Sequence, residues 1–201
     1  TSDLYGRSLG DATNDISAIL DKIDVPQGVE VSFGGQIQEQ MEAFSDLLIL
    51  LALSIFLVYV VMAAQFESFR MPFIIMLAVP FAFTGVLLAL FITGSELNVI
   101  SMIGGIILVG IVVKNGIVLV DYINLMRDRG LALVQAVIVA GRSRLRPVLM
   151  TTLTTALAMI PLAMGIGEGS EIWQPMGISI IGGLLFSTMI TLVLIPVVYT
   201  L

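Results

Sequence analysis

The sequence predicts an all-α membrane protein, a bundle of five transmembrane helices behind a short N-terminal α/β element outside the membrane. Three observations carry this. The 201 residues are 58% hydrophobic and only 12% charged, whereas soluble domains run about 45–50% apolar and about 25% charged. Five apolar runs each approach the roughly 20 residues that cross a bilayer as a helix. The charge is also segregated: residues 1–46 hold nine acids against Arg7 and Lys22, and the rest is almost balanced.

Residues 1–35 read as the water-exposed element. Ile16, Ile19, Leu20 and Ile23 form one apolar helical stripe behind a possible N-cap at Asp11. After the turn at Pro26-Gln27-Gly28, Val29, Val31 and Phe33 alternate with polar residues as a half-buried strand. One helix and one strand cannot bury a core alone, so this piece is expected to pack against strands from elsewhere. Residues 36–46 read as a polar linker helix entering the membrane region, residues 47–201.

The spans are expected at about 47–64, 72–93, 98–122, 147–166 and 175–201. Pro72 suits the first turn of the second span, and Pro80, Pro161 and Pro196 fall inside spans, where neighbouring helices can satisfy the freed carbonyls. Leu131 to Gly141 is an uncharged segment that suits either an interfacial amphipathic helix or core packing. Ser179, Gly183, Ser187 and Thr191 recur every four residues, as do Ser101 and Gly105. Such small residues let helices approach closely, as static packing or as a sliding surface.

Six arginines flank the spans on one side: Arg70, Arg127, Arg129, Arg142, Arg144 and Arg146. The opposite loops carry only Glu96, Glu168 and Glu171. By the positive-inside rule the arginine side is cytoplasmic, with the N-terminal element outside and the C-terminus inside.

Function is written in the third span, where Lys114 and Asn115 sit mid-span between apolar runs. A central ammonium costs roughly 2.5–3.5 kcal/mol on insertion scales, and intramembrane ionisable groups commonly mark ion pathways. A permanent structural ion pair with another helix is the alternative. Asp121, seven residues on, shares its face but lies about two turns away, where it suits an interfacial anchor. With no carboxylate of the chain at its depth, Lys114 is expected to draw its counter-charge from helices beyond this sequence. Neither Cys nor His is present, which excludes disulfides, thiolate metal sites and the usual physiological-pH switch. An intramembrane hydrolase would need a Ser beside Lys114, and none lies on the adjacent turn. Nothing resembles a basic nucleic-acid surface. The start, Thr-Ser-Asp-Leu, has neither an initiator Met nor a signal-peptide core, which suggests a piece of a longer or processed polypeptide.

The segments FGGQIQEQ, AAQFESF, GIVVKNGIVLVDYIN, RLRPVLMTTLTTALAMIPLAMG and GGLLFSTMITLVLIPVVY resemble the C-terminal half of a resistance-nodulation-division (RND) transporter of the hydrophobe/amphiphile efflux type. The resemblance covers nearly the whole chain and implies half of an RND transmembrane domain. Residues 1–35 correspond to the last helix and strand of the periplasmic porter domain. It implies a proton-driven drug exporter of the inner membrane, working as a homotrimer in membrane lipid with a periplasmic adaptor and an outer-membrane channel. Protons are then the coupling ion, with no cofactor or metal. Lys114 would pair with two adjacent Asp supplied by the N-terminal half, with Asn115 beside it and Arg144 and Thr151 completing the proton relay. Rival readings on the same fold are lipid export, protein-translocation accessory and metal-ion export, although the Met residues are scattered rather than paired along the spans. A passive structural or channel subunit, indifferent to a proton gradient, is a further rival.

Overall fold

The computed structural model describes residues 36–167 and 169–200, together with Ile16 and Ile19, which are both helical. The rest of the helix and strand expected over residues 1–35 lies outside the described residues. The chain divides into two units, 1–43 and 44–201. The helices are α1 (Gln36–Phe66), α2 (Arg70–Met76), α3 (Ala78–Thr93), α4 (Val99–Asp128), α5 (Leu133–Ala163) and α6 (Gln174–Thr200), with a short 3₁₀ turn at Ser170–Ile172. With α2 and α3 taken as one span, five helical segments are long and apolar enough to cross a membrane.

Local chemistry sets the ends. Pro80 has no N–H for the Met76 carbonyl and its ring crowds that carbonyl, and the second span breaks there between α2 and α3. Gly94 stops α3 in the left-handed region (φ 67°), with the Ser95 N–H reaching back to the Leu90 carbonyl at 3.0 Å. This six-to-one closure satisfies a terminal carbonyl that water would otherwise have to reach. Asn98 caps α4 reciprocally. Its side chain accepts from the Ser101 N–H at 2.8 Å, and its own N–H donates to Ser101 Oγ at 2.9 Å. Ser101 is therefore a capping residue as well as a small packing residue.

The fourth span extends further than the sequence suggests. Helix α5 begins at Leu133 and runs through Pro147 without interruption. The segment expected to choose between the interface and the core packs: Ala136, Val137 and Ala140 are buried with Ile123 and Met126 of α4. Pro147 lies inside a helix rather than opening one.

Helix α6 is the central member, packed against α3, α4 and α5. The expected ladder on it is buried, with Ser179, Gly183, Ser187 and Thr191 all facing inward. At Gly85, Gly182 and Gly183 the backbones of α3 and α6 meet so closely that a Cβ on Gly85 would lie 2.9 Å from the Gly182 carbonyl oxygen. Helix α1 differs. It touches the bundle along Leu51, Ile55, Val58, Met62 and Phe66, one stripe at three- and four-residue spacing, while Leu53, Phe56, Leu57, Val60 and Val61 face outward.

Candidate functional site

Lys114 lies on α4 on the side that faces α1. It lines a cavity of about 380 Å³ with Leu57, Val58, Val61 and Met62 of α1 and Gly110, Val113, Ile117 and Val118 of its own helix. Among the described residues no acid lines this cavity, and Lys114 is exposed at the surface of the bundle. Asn115, one position on and so rotated by about 100° on a helix of 3.6 residues per turn, is buried. Consecutive residues thus address different surroundings, Lys114 the open flank and Asn115 the helix interior. Asp121 is exposed like Lys114, as its seven-residue spacing requires.

Arg144 is half-buried on α5 and stacks on α4, its guanidinium carbon 4.4 Å from the centre of the Tyr122 ring. Cation–π contacts of this kind are worth about 0.5–1 kcal/mol when exposed and about 2 or more when desolvated. Its Nε is buried with no hydrogen-bond partner among the described residues. Thr151 is exposed, and its hydroxyl donates to the Val148 carbonyl of its own helix at 3.0 Å. The structure therefore places the four predicted residues on two adjacent helices, and among the described residues no hydrogen bond joins them to one another.

Their depths nonetheless correspond. Helix α5 returns alongside α4 after a short connection, and Arg144 is level with Tyr122 through the stacking contact. From Tyr122 back to Lys114 is eight residues, about 12 Å along the axis, and from Arg144 on to Thr151 is seven, about 10 Å. The helices run in opposite directions, so Thr151 arrives near the level of Lys114.

Behind this face lies a buried polar layer on α5 and α6. Thr152 of α5 and Thr188 of α6, both buried, share a hydrogen bond of 3.2 Å. Thr191 is buried one turn further along α6, and its hydroxyl has no partner among the described residues. Helices α4 and α6 run parallel: Gly104 approaches Met176, Gly183 approaches Leu108, Gly116 approaches Ile195, and the Tyr199 hydroxyl donates to Asn124 Oδ1. This register brings Asn115 to the depth of Thr188 and Thr191. The signal for Thr152 was available in principle, because Val148, Thr152 and Ala156 form the inward stripe of α5. Tyr122 carried no such signal, since an aromatic in an apolar run reads as ordinary core.

Residues 3–201 match the sequence profile of the AcrB/AcrD/AcrF family. Similar curated proteins include multidrug resistance protein MdtC of Salmonella enteritidis, 40% identical over 195 residues that cover 96% of this chain and 19% of that protein. They also include the swarming motility protein SwrC of Bacillus subtilis, 37% identical and covering 98% and 19%. The cobalt-zinc-cadmium resistance protein CzcA of Cupriavidus metallidurans is 34% identical, covering 100% and 19%. Among solved structures, a heavy metal efflux pump superposes with a TM-score of 0.85 at 34% identity, over 98% of this chain and 20% of that one. The chain spans about a fifth of the length of these relatives.

Proposed function

The chain belongs to the AcrB/AcrD/AcrF family, and from that premise we propose that it is the C-terminal half of the transmembrane domain of a proton-motive-force-driven exporter of hydrophobic or amphiphilic compounds in the inner membrane. Lys114 carries the reading, as an ammonium at mid-span in an apolar cavity with no acid among the described residues of its lining. The missing counter-charge is an Asp pair on a helix of the N-terminal half. While that pair is ionised it holds the ammonium. Protonation of one carboxylate removes the attraction, and the helix bearing Lys114 shifts toward other acceptors such as Thr151 or Asn115. Arg144 stands nearer the proton's exit, beside Tyr122. Each proton falling through about 100 mV releases roughly 2.3 kcal/mol, which is enough to bias a helix pair with two packings. Similarity to relatives named for multidrug resistance supports the substrate class. The arginine-bearing loops face the cytoplasm in this arrangement, and the assembly is a trimer with adaptor and outer-membrane channel partners.

A second reading, export of divalent metal cations on the same proton relay, is favoured by the similarity to CzcA and to the heavy metal efflux pump. Resistance of cells expressing the intact protein to lipophilic drugs, against resistance to cobalt, zinc and cadmium, separates the two. The relay is tested with Lys114→Met in the intact transporter, assayed in inside-out vesicles under an imposed proton gradient. The expected outcome is loss of gradient-dependent transport with assembly intact; undiminished transport would overturn the assignment.

A further inference from the structure

At the arginine-bearing end of the bundle a second cavity, of about 560 Å³, lies between the α1–α2 turn and the ends of α4 and α6. It is lined by Tyr59, Phe69, Arg70, Phe73, Arg127 and Tyr199, with Met71, Ile74 and Val198 completing the wall. We propose that this cavity holds the phosphate of an anionic phospholipid between Arg70 and Arg127.

The donors come first. Arg70 and Arg127, from different helices, line one cavity, and among the described residues no acid lines it. Both tyrosine hydroxyls are already committed: Tyr59 donates to the Phe69 carbonyl at 3.2 Å, and Tyr199 donates to Asn124 Oδ1. The tyrosines therefore supply ring faces, and the polar character left in the lining is cationic. Guanidinium matches phosphate oxygens with paired N–H donors, and two arginines lining one space suit an anion.

The walls then narrow the choice to a lipid. Apart from the two arginines, the lining is aromatic and aliphatic, which a free inorganic anion would not use. Phe69 and Phe73, one turn apart around Arg70, are 77% and 64% exposed, apolar faces that lipid chains can cover. A diacyl phosphate satisfies both halves of the site at once. Its headgroup meets the arginines and its glycerol and upper chains lie along the rings. Basic pockets between helices at this depth bind anionic headgroups by these means, and the volume falls within the roughly 300–1,000 Å³ of small-ligand sites. The short α1–α2 turn, pinned by Tyr59, fixes Arg70 relative to α1, so an occupant would also tie α1 to α4 and α6.

Native mass spectrometry of the intact transporter tests this, with dioleoyl phosphatidylglycerol against dioleoyl phosphatidylcholine as probes. The wild type should retain phosphatidylglycerol preferentially, and Arg70→Gln with Arg127→Gln should weaken retention by roughly tenfold or more. Arg142→Gln with Arg146→Gln removes the same charge outside the cavity and should leave retention unchanged. Equal loss in both double variants would mean diffuse attraction and would overturn the site. Full displacement of the lipid by millimolar inorganic phosphate would show a free-anion site and overturn the lipid assignment, as would retention unaffected by the Arg70 and Arg127 changes.

Discussion

Arg144 has an aromatic face where a counter-ion would ordinarily be expected. A guanidinium half-buried beside Tyr122, with its Nε unpartnered among the described residues, is held in place without being neutralised. In the proposed relay this arrangement would leave the charge of Arg144 available. The ring, not the hydroxyl, makes the contact, so Tyr122→Phe should preserve stability and transport. Tyr122→Leu should remove about 1 kcal/mol and should alter the pH profile of transport as the guanidinium loses its seat. Thermal denaturation in detergent, followed by transport at stepped pH, checks both; a Tyr122→Leu variant with unchanged stability and pH profile would refute the positioning role. At this scale the sequence draws the eye to Lys114, where a charge stands against an apolar background, whereas Arg144 lies among other arginines and stands out only through the family resemblance. The sequence was illegible where the meaning of a residue depends on how two helices are rotated. Tyr122 became informative only once α4 and α5 were set side by side.

Between elements, the tightest constraint is the approach of α3 and α6. A methyl on Gly182 would meet the Cβ of Ala89 and stand 3.0 Å from the Gly85 carbonyl oxygen, atoms that cannot move aside without shifting backbone. Gly182→Ala is expected to destabilise the bundle by about 1–3 kcal/mol, the usual cost of overpacking. Gly141, in α5, has open space where its Cβ would go, so Gly141→Ala should be neutral or gain up to about 1 kcal/mol from helix propensity. Denaturation midpoints of the two variants in one detergent should move apart; a joint shift would mean the α3–α6 approach is looser than described. Hydropathy and proline placement made five spans readable from the chain alone. The long α5 was harder to read, because Pro147 looks like a helix start and because the burial of Ala136 and Ala140 depends on α4 rather than on any local pattern.

For the molecule as a whole, burial is uneven. The most apolar window of α1 is 6% buried, against 56% for that of α4 and 50% for that of α6. Sequence could not forecast this ranking, since α1 is also the most hydrophobic of the five. Hydropathy reports what a helix avoids, namely water, and says nothing of whether lipid or protein covers it. The same limit hides the surroundings of Lys114. An open flank beside an ammonium reads as a place for a further helix only when combined with the family and with relatives some five times longer.

The single seam of α1 also has a mechanical consequence. Held in a bilayer and pulled from its N-terminal end, the chain should give way in two stages. α1 should peel off at low force, releasing roughly 100 Å of extended polypeptide for its 31 residues, before the remaining helices yield together at higher force. A force–extension trace with one rupture in place of two would mean that Leu51, Ile55, Val58, Met62 and Phe66 grip far more firmly than their narrow footprint implies.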